Sequence, residues 1–211
     1  MSIPDLVFIG SPSLDRLQRD DLVTEAIGGA AFISALAARA SEATVGLVAR
    51  VPTLLPTAVA RTLGPGGLLR EGLTTADGAL PTFHIAYDAE DRATYTHVDN
   101  GLEATLSGAD LPATWGEARW IHLAAIGEDA HRQLEVLATI RERGVAAKIS
   151  AGTYRRMIVR DTDAARELLR RADLFFCNAE EYTLLCPHGP PEDTVVCVTQ
   201  GPQGVTVYGG A

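Results

Sequence analysis

Asn178-Ala179-Glu180-Glu181 and Thr199-Gln200-Gly201-Pro202-Gln203-Gly204 each close a short apolar run, and each carries groups suited to phosphate or metal chemistry. In the first, Asn with Glu three residues on has the spacing of a helix capping box, with Asn in place of the usual Ser or Thr. A carboxylate at the carboxyl end of a parallel strand can also hold Mg2+ together with phosphate oxygens and water; the residue chemistry alone favours the cap. In the second, two glycines leave room for a flat or phosphorylated ligand to lie on the backbone, and the alternative is a hairpin turn into Val205-Thr206-Val207-Tyr208. Gly28-Gly29 opens the helical run Ala30 to Ala38, where free N–H groups can donate to a polar or anionic ligand; otherwise the pair only makes the turn into a packed helix. Asp15 follows the exit of the apolar run Leu6-Val7-Phe8-Ile9, either as a substrate-binding acid or as a turn aspartate.

Other chemistries are excluded by what is missing from the 211 residues. There is no Walker G-x-x-x-x-G-K-[ST], no G-x-G-x-x-G, no G-x-S-x-G elbow and no H-E-x-x-H. Cys177, Cys186 and Cys197 are odd in number and lack C-x-x-C spacing, so they read as buried thiols, and Cys186-Pro187-His188 reads as a loop. His84, His97, His122, His131 and His188 are scattered and read as surface or packing residues. A net charge of −9 without a basic cluster argues against nucleic acid. The N-terminus has no basic region, and Leu6 to Ile9 is too short for a signal segment or membrane span, so a cytoplasmic protein is expected.

The elements that must position these residues alternate. Hydrophobic residues make up 46% and charged residues 21% of the chain, the balance of a folded globular protein. Leu6–Ile9, Thr44–Val51, Trp120–Ala124, Ala146–Ser150, Leu174–Cys177 and Val195–Thr199 read as strands. Gly28–Ala43, Glu128–Arg143, Asp161–Arg171 and Ala179–Leu185 read as helices, and Pro56–Leu63 as a short helix broken by Gly64-Pro65-Gly66-Gly67. Such alternation predicts one α/β domain over residues 1–211, a parallel sheet with helices on both faces. Thr82–Tyr87 and Arg92–Val98, joined by Asp88-Ala89-Glu90-Asp91, read as an antiparallel hairpin, which either forms a lid over a site or extends the main sheet.

In this order and at this spacing the pieces resemble the ribokinase/PfkB family of sugar and nucleoside kinases. That resemblance covers nearly the whole chain and implies a ribokinase-like sandwich with a small β lid at about 82–98. It further implies transfer of the γ-phosphoryl of ATP, with Mg2+, to a hydroxyl of a sugar or nucleoside, by positioning and an anion cradle rather than covalent help. By the resemblance, Asp15 binds substrate hydroxyls and Gly28 and Gly29 flank the substrate. Asn178 and Glu181 match the N-x-x-E motif associated with magnesium and phosphate, Thr199, Gly201 and Gly204 match the start of the nucleotide site, and the lid can pair two copies.

Two departures stand out. Ile33 replaces a frequent Asn, and Pro52-Thr53 replaces a frequent G-D. The family's G-A-G-D segment, which supplies the catalytic base, does not occur before the chain stops at Gly209-Gly210-Ala211, and the expectation is a product cut before it. Little kinase activity, an exposed apolar sheet face and a tendency to associate would follow. The rival reading is a non-catalytic remnant that binds a sugar, a nucleotide or a partner protein.

Overall fold

Alternation of side chains along the strands splits the interior into two cores, one on each face of a central sheet. Val7 and Ile9 pack with Val48, Ile121, Leu123, Phe175 and Val196 on one face, and Leu47, Ala49 and Val51 pack with Ala31, Phe32 and Ala35 on the other. The computed structural model describes residues 2–64, 68–90 and 92–209. The expected break at Pro65-Gly66-Gly67, the turn residue Asp91 and the terminal Gly210-Ala211 lie outside the described residues.

The chain runs β1 (Leu6–Ile9), β2 (Ser13–Arg19), β3 (Leu22–Gly28), α1 (Ala30–Ala38), β4 (Val45–Pro52), α2 (Thr57–Thr62), β5 (Leu68–Leu69) and β6 (Leu73–Ala76). It continues with β7 (Thr82–Tyr87), β8 (Ala93–Asp99), β9 (Trp120–Leu123), α3 (Ala130–Glu142), β10 (Lys148–Gly152), α4 (Arg155–Arg160), α5 (Thr162–Arg171), β11 (Leu174–Asn178), α6 (Ala179–Leu185), β12 (Val195–Thr199) and β13 (Val205–Tyr208). The main sheet has the order β13-β12-β11-β10-β9-β1-β4-β5, with β6 also beside β4. Its pairings are parallel except β12 with β13, as expected for strands joined by crossover helices.

The expected hairpin is there, but it is half of a larger element. β7 and β8 pair antiparallel, and β2 joins β7 in parallel while β3 pairs back on β2. The result is a separate four-stranded sheet, β3-β2-β7-β8. The sequence reading therefore needs correction, and it did not foresee β2, β3, β5 or β6. Asp15 sits within β2, not in the loop after β1. Gly28 ends β3, and the helix expected from Gly28 to Ala43 begins at Ala30, with Gly29 as its N-cap. The helix α4, beginning at Arg155, was not foreseen.

Helices α3, α4, α5 and α6 line one face of the main sheet, while α1 lies against β1 and β4 on the other. Beyond α1 on that second face, Leu6, Phe8, Trp120, His122, Leu174 and Phe176 border a hollow of about 730 Å3. Phe176 is 38% exposed, and Val205 and Val207 on the edge strand β13 are exposed too.

Trp115 is fully buried and packs closely against β4. A Cβ on Gly46 of β4 would lie 2.6 Å from its ring, closer than side chains approach without displacement. Gly46→Ala is expected to lower stability by about 1–3 kcal/mol through overpacking. Urea unfolding should show a lower midpoint with an unchanged slope.

Candidate functional site

The two sheets meet where β3 hands over to α1, and glycine is required there twice. A Cβ on Gly28 would fall on the Asp15 carboxylate, and one on Gly29, whose φ is +97°, on the Ser11 carbonyl oxygen. Only residues without a side chain let the backbone pass this close to β2 and the β1 exit. The helix starts on this junction, since Ile33 N–H donates to the Gly29 carbonyl at 2.9 Å.

Beside the junction lies a cavity of about 360 Å3. Asp15, Gly28, Gly29 and Ile33 line it together with Phe83, Tyr95, Asn100, Glu103, Thr153 and Tyr154. All three residues expected on the substrate side are thus brought to one cavity. Ile33, where an amide was expected by resemblance, offers it an apolar, 47% exposed side chain. Asp15 Oδ1 accepts from the Ser13 hydroxyl at 2.7 Å, and partial burial pushes its carboxyl above the usual range despite that bond. Tyr95 stands edge-on to Phe83, with centroids 6.1 Å apart, and 5.5 Å from the Tyr154 ring.

The adjoining hollow on the open sheet face is lined by Asn178, Glu181 and Thr199, and it shares Ala30, Ala125 and Thr153 with the first cavity. Asn178 and Glu181 form the full capping box: Asn178 Oδ1 accepts from Glu181 N–H and Glu181 Oε2 from Asn178 N–H, both at 2.9 Å. The cap read from the sequence is therefore built. Glu181 is nearly buried, and desolvation pushes its carboxyl up against the pull of the Asn178 and Arg155 backbone N–H groups. Thr153 lies at the junction of the two spaces, and its buried hydroxyl has no hydrogen-bond partner among the described residues.

Thr199 closes β12, and Gln200 to Gly204 make the hairpin turn into β13. Gly201 and Gly204 have φ of +56° and +94°, with open space where a Cβ would stand. The turn is thus both the hairpin and an unobstructed backbone surface. Among the described residues no group of three His, Cys, Asp or Glu could hold a metal by itself.

Sequence reasoning missed Glu103, on the 3-10 turn Gly101–Thr105 after the lid sheet. It is 6% exposed, and its Oε1 accepts from Ser11 N–H at 2.7 Å. Burial pushes its pKa up to about 7. A Glu two residues after a Gly in a polar stretch carries no periodic signal, so only the three-dimensional contact reveals it. His122 was read as a packing residue, and it pairs with Ser150 Oγ at 3.0 Å.

No family model matches the chain. Cytidine kinase of Thermococcus kodakarensis is 27% identical over a 219-residue alignment, which covers 98% of this chain and 77% of that protein. Among solved structures, the nucleoside kinase of Burkholderia thailandensis in complex with inosine superposes with a TM-score of 0.80 at 13% identity, covering 97% of this chain and 73% of that one. The PfkB protein from Polaromonas sp. JS666 gives 0.73 at 17% identity, covering 98% and 80%. The chain has the fold of the ribokinase/PfkB kinases. The resemblance read from the residues holds at the level of the fold.

Burial of Glu103 has a pH signature. Its folded pKa lies above the unfolded value, so its contribution to stability is fully present below the unfolded pKa of 4.5 and is lost as pH rises through about 7. Glu103→Gln keeps an acceptor for Ser11 without the charge. It is expected to raise stability at pH 8, by at most roughly 3 kcal/mol, with the gain vanishing near pH 4.5. Thermal melts of both proteins across that range check the sign. Asn178→Ala, which removes one half of the cap, is expected to cost about 1 kcal/mol, read from the same melts.

Proposed function

We propose that this chain binds a sugar or nucleoside in the cavity beside Gly28-Gly29 and a phosphoryl donor across Thr199–Gly204, as a kinase of the PfkB type. The observation that carries the reading is the junction: the cavity of Asp15 and the hollow of Asn178, Glu181 and Thr199 share Ala30, Ala125 and Thr153, so a ligand in one space lies next to a ligand in the other.

The residues have defined tasks in this reading. Asp15, held by Ser13, accepts hydrogen bonds from substrate hydroxyls. The backbone of Gly28 and Gly29 lets the substrate approach the start of α1. Phe83, Tyr95 and Tyr154 offer aromatic surface, which favours a nucleoside over a bare sugar. Thr199, Gly201 and Gly204 give the nucleotide an open backbone surface.

Asn178 and Glu181 fit Mg2+ indirectly. Their inward lone pairs are occupied by the cap, and the Glu181 carboxyl, pushed up by burial, gains from a nearby cation. The ion would keep most of its water and bind mainly through phosphate oxygens. When bound, Mg2+ supplies charge neutralisation for phosphoryl transfer.

Residues 1–211 hold no G-A-G-D segment, so ligand binding is expected with little turnover from this chain alone. Self-association, through the lid or through the open sheet face, is part of the same proposal. Thermal-shift titration with ribose, cytidine, inosine and Mg-ATP tests the binding, because selective native-state binding raises apparent stability. The reading predicts a rise with a nucleoside and a separate rise with Mg-ATP, both reduced in Asp15→Asn and Glu181→Gln respectively. No shift with any of them, from a folded protein, would contradict it. A radiolabel transfer assay in parallel checks the low turnover.

A further inference from the structure

Glu103 uses only half of its carboxyl inside the protein. Oε1 accepts the Ser11 N–H at the exit of β1, and among the described residues no donor serves Oε2. A backbone N–H needs one acceptor, which an amide side chain supplies without placing a titratable acid in a buried position. What the carboxyl adds is a second acceptor oxygen, in a residue that lines the cavity with Asp15 and Asn100. None of the described residues lining that cavity is Lys, Arg or His. Two acids, two tyrosines and an amide without a base make a wall that suits a substrate rich in O–H and N–H donors and repels an anionic one.

We infer that Glu103 is a substrate-reading residue, its free carboxyl oxygen accepting a hydrogen bond from an O–H or N–H donor of an uncharged substrate. This rests on the cavity being the substrate site, as proposed above. Glu103 would then be an acid kept for recognition at the expense of stability, as binding-site groups often are. A site built to accept such a bond discriminates strongly against analogues without the donor, because its buried acceptor is left unpaired.

Calorimetric titration of the 211-residue chain, of Glu103→Gln and of Asp15→Asn with cytidine, inosine and ribose tests this. Analogues of cytidine that each lack one donor (2′-deoxycytidine, 3′-deoxycytidine and the 4-deamino pyrimidin-2-one riboside) are run beside them, and thermal melts confirm that each variant is folded. The amide keeps the Ser11 contact and turns the free acceptor into a donor. The expected result is a tenfold or greater loss of affinity for the preferred probe in Glu103→Gln. One analogue should lose as much on the wild type and nothing further on the variant, which identifies the hydroxyl or amine that Glu103 reads.

Glu103→Gln binding every probe within twofold of wild type, while Asp15→Asn weakens binding tenfold, would leave the site reading standing and overturn this inference. If no probe binds the wild type, or both variants bind as wild type does, the site reading fails and the inference with it. An equal loss for all analogues in Glu103→Gln, or a variant that does not fold, would show a structural role and overturn the inference alone.

Discussion

The absence of side chains at Gly28 and Gly29 is the constraint on which the rest depends. The last residue of the lid strand β3 passes against the Asp15 carboxylate, and the N-cap of α1 passes against the Ser11 carbonyl. This contact joins a solvent-exposed four-stranded sheet to a buried parallel one. Phe83 of β7 and Tyr95 of β8 line the cavity beside this contact. A Cβ at Gly28 would press β3 away from Asp15 of β2, and one at Gly29 would press the start of α1 away from the β1 exit.

Electrostatics follow from that geometry. Asp15 and Glu103 line one cavity between the two sheets, and desolvation pushes both carboxyls up. Glu181 is pushed up in the adjoining hollow for the same reason. Three acids with raised pKa values around connected spaces form a site poised for donors and cations, the pattern expected where a binding function outweighs local stability. Among the described residues no Lys or Arg lines either space; Arg50 pairs with Asp110, Arg155 with Glu180 and Arg160 with Glu128.

How legible this was in the sequence differed by element. β1, β4, β9, β10, β11 and β12 were readable because burial makes them short, largely apolar runs, and α6 and β12 fall on the residues expected; the short parallel strands β5 and β6 were not. β2 and β3 were not readable. Ser13–Arg19 and Leu22–Gly28 are largely exposed, with Leu22 at 68% and Val23 at 42%, so neither shows the alternation that burial of one face imposes. β2 takes its register from β7, about seventy residues away in sequence, and β3 takes its own from β2. Asp15 was singled out in the sequence but assigned to a loop for this reason. Asn178 and Glu181 were found because a cap is a local signal, whereas Glu103 depends on a partner 92 residues distant.

The central claim is that one continuous crevice, hinged on Gly28-Gly29, takes an acceptor substrate on one side and a nucleotide on the other. Hydrogen–deuterium exchange with each ligand alone and with both tests it most directly. A nucleoside should protect 13–29 and 95–103, Mg-ADP should protect 178–181 and 199–204, and the pair together should add protection around Thr153. Protection by either ligand confined to other segments, or competition between them for the same segment, would contradict the account.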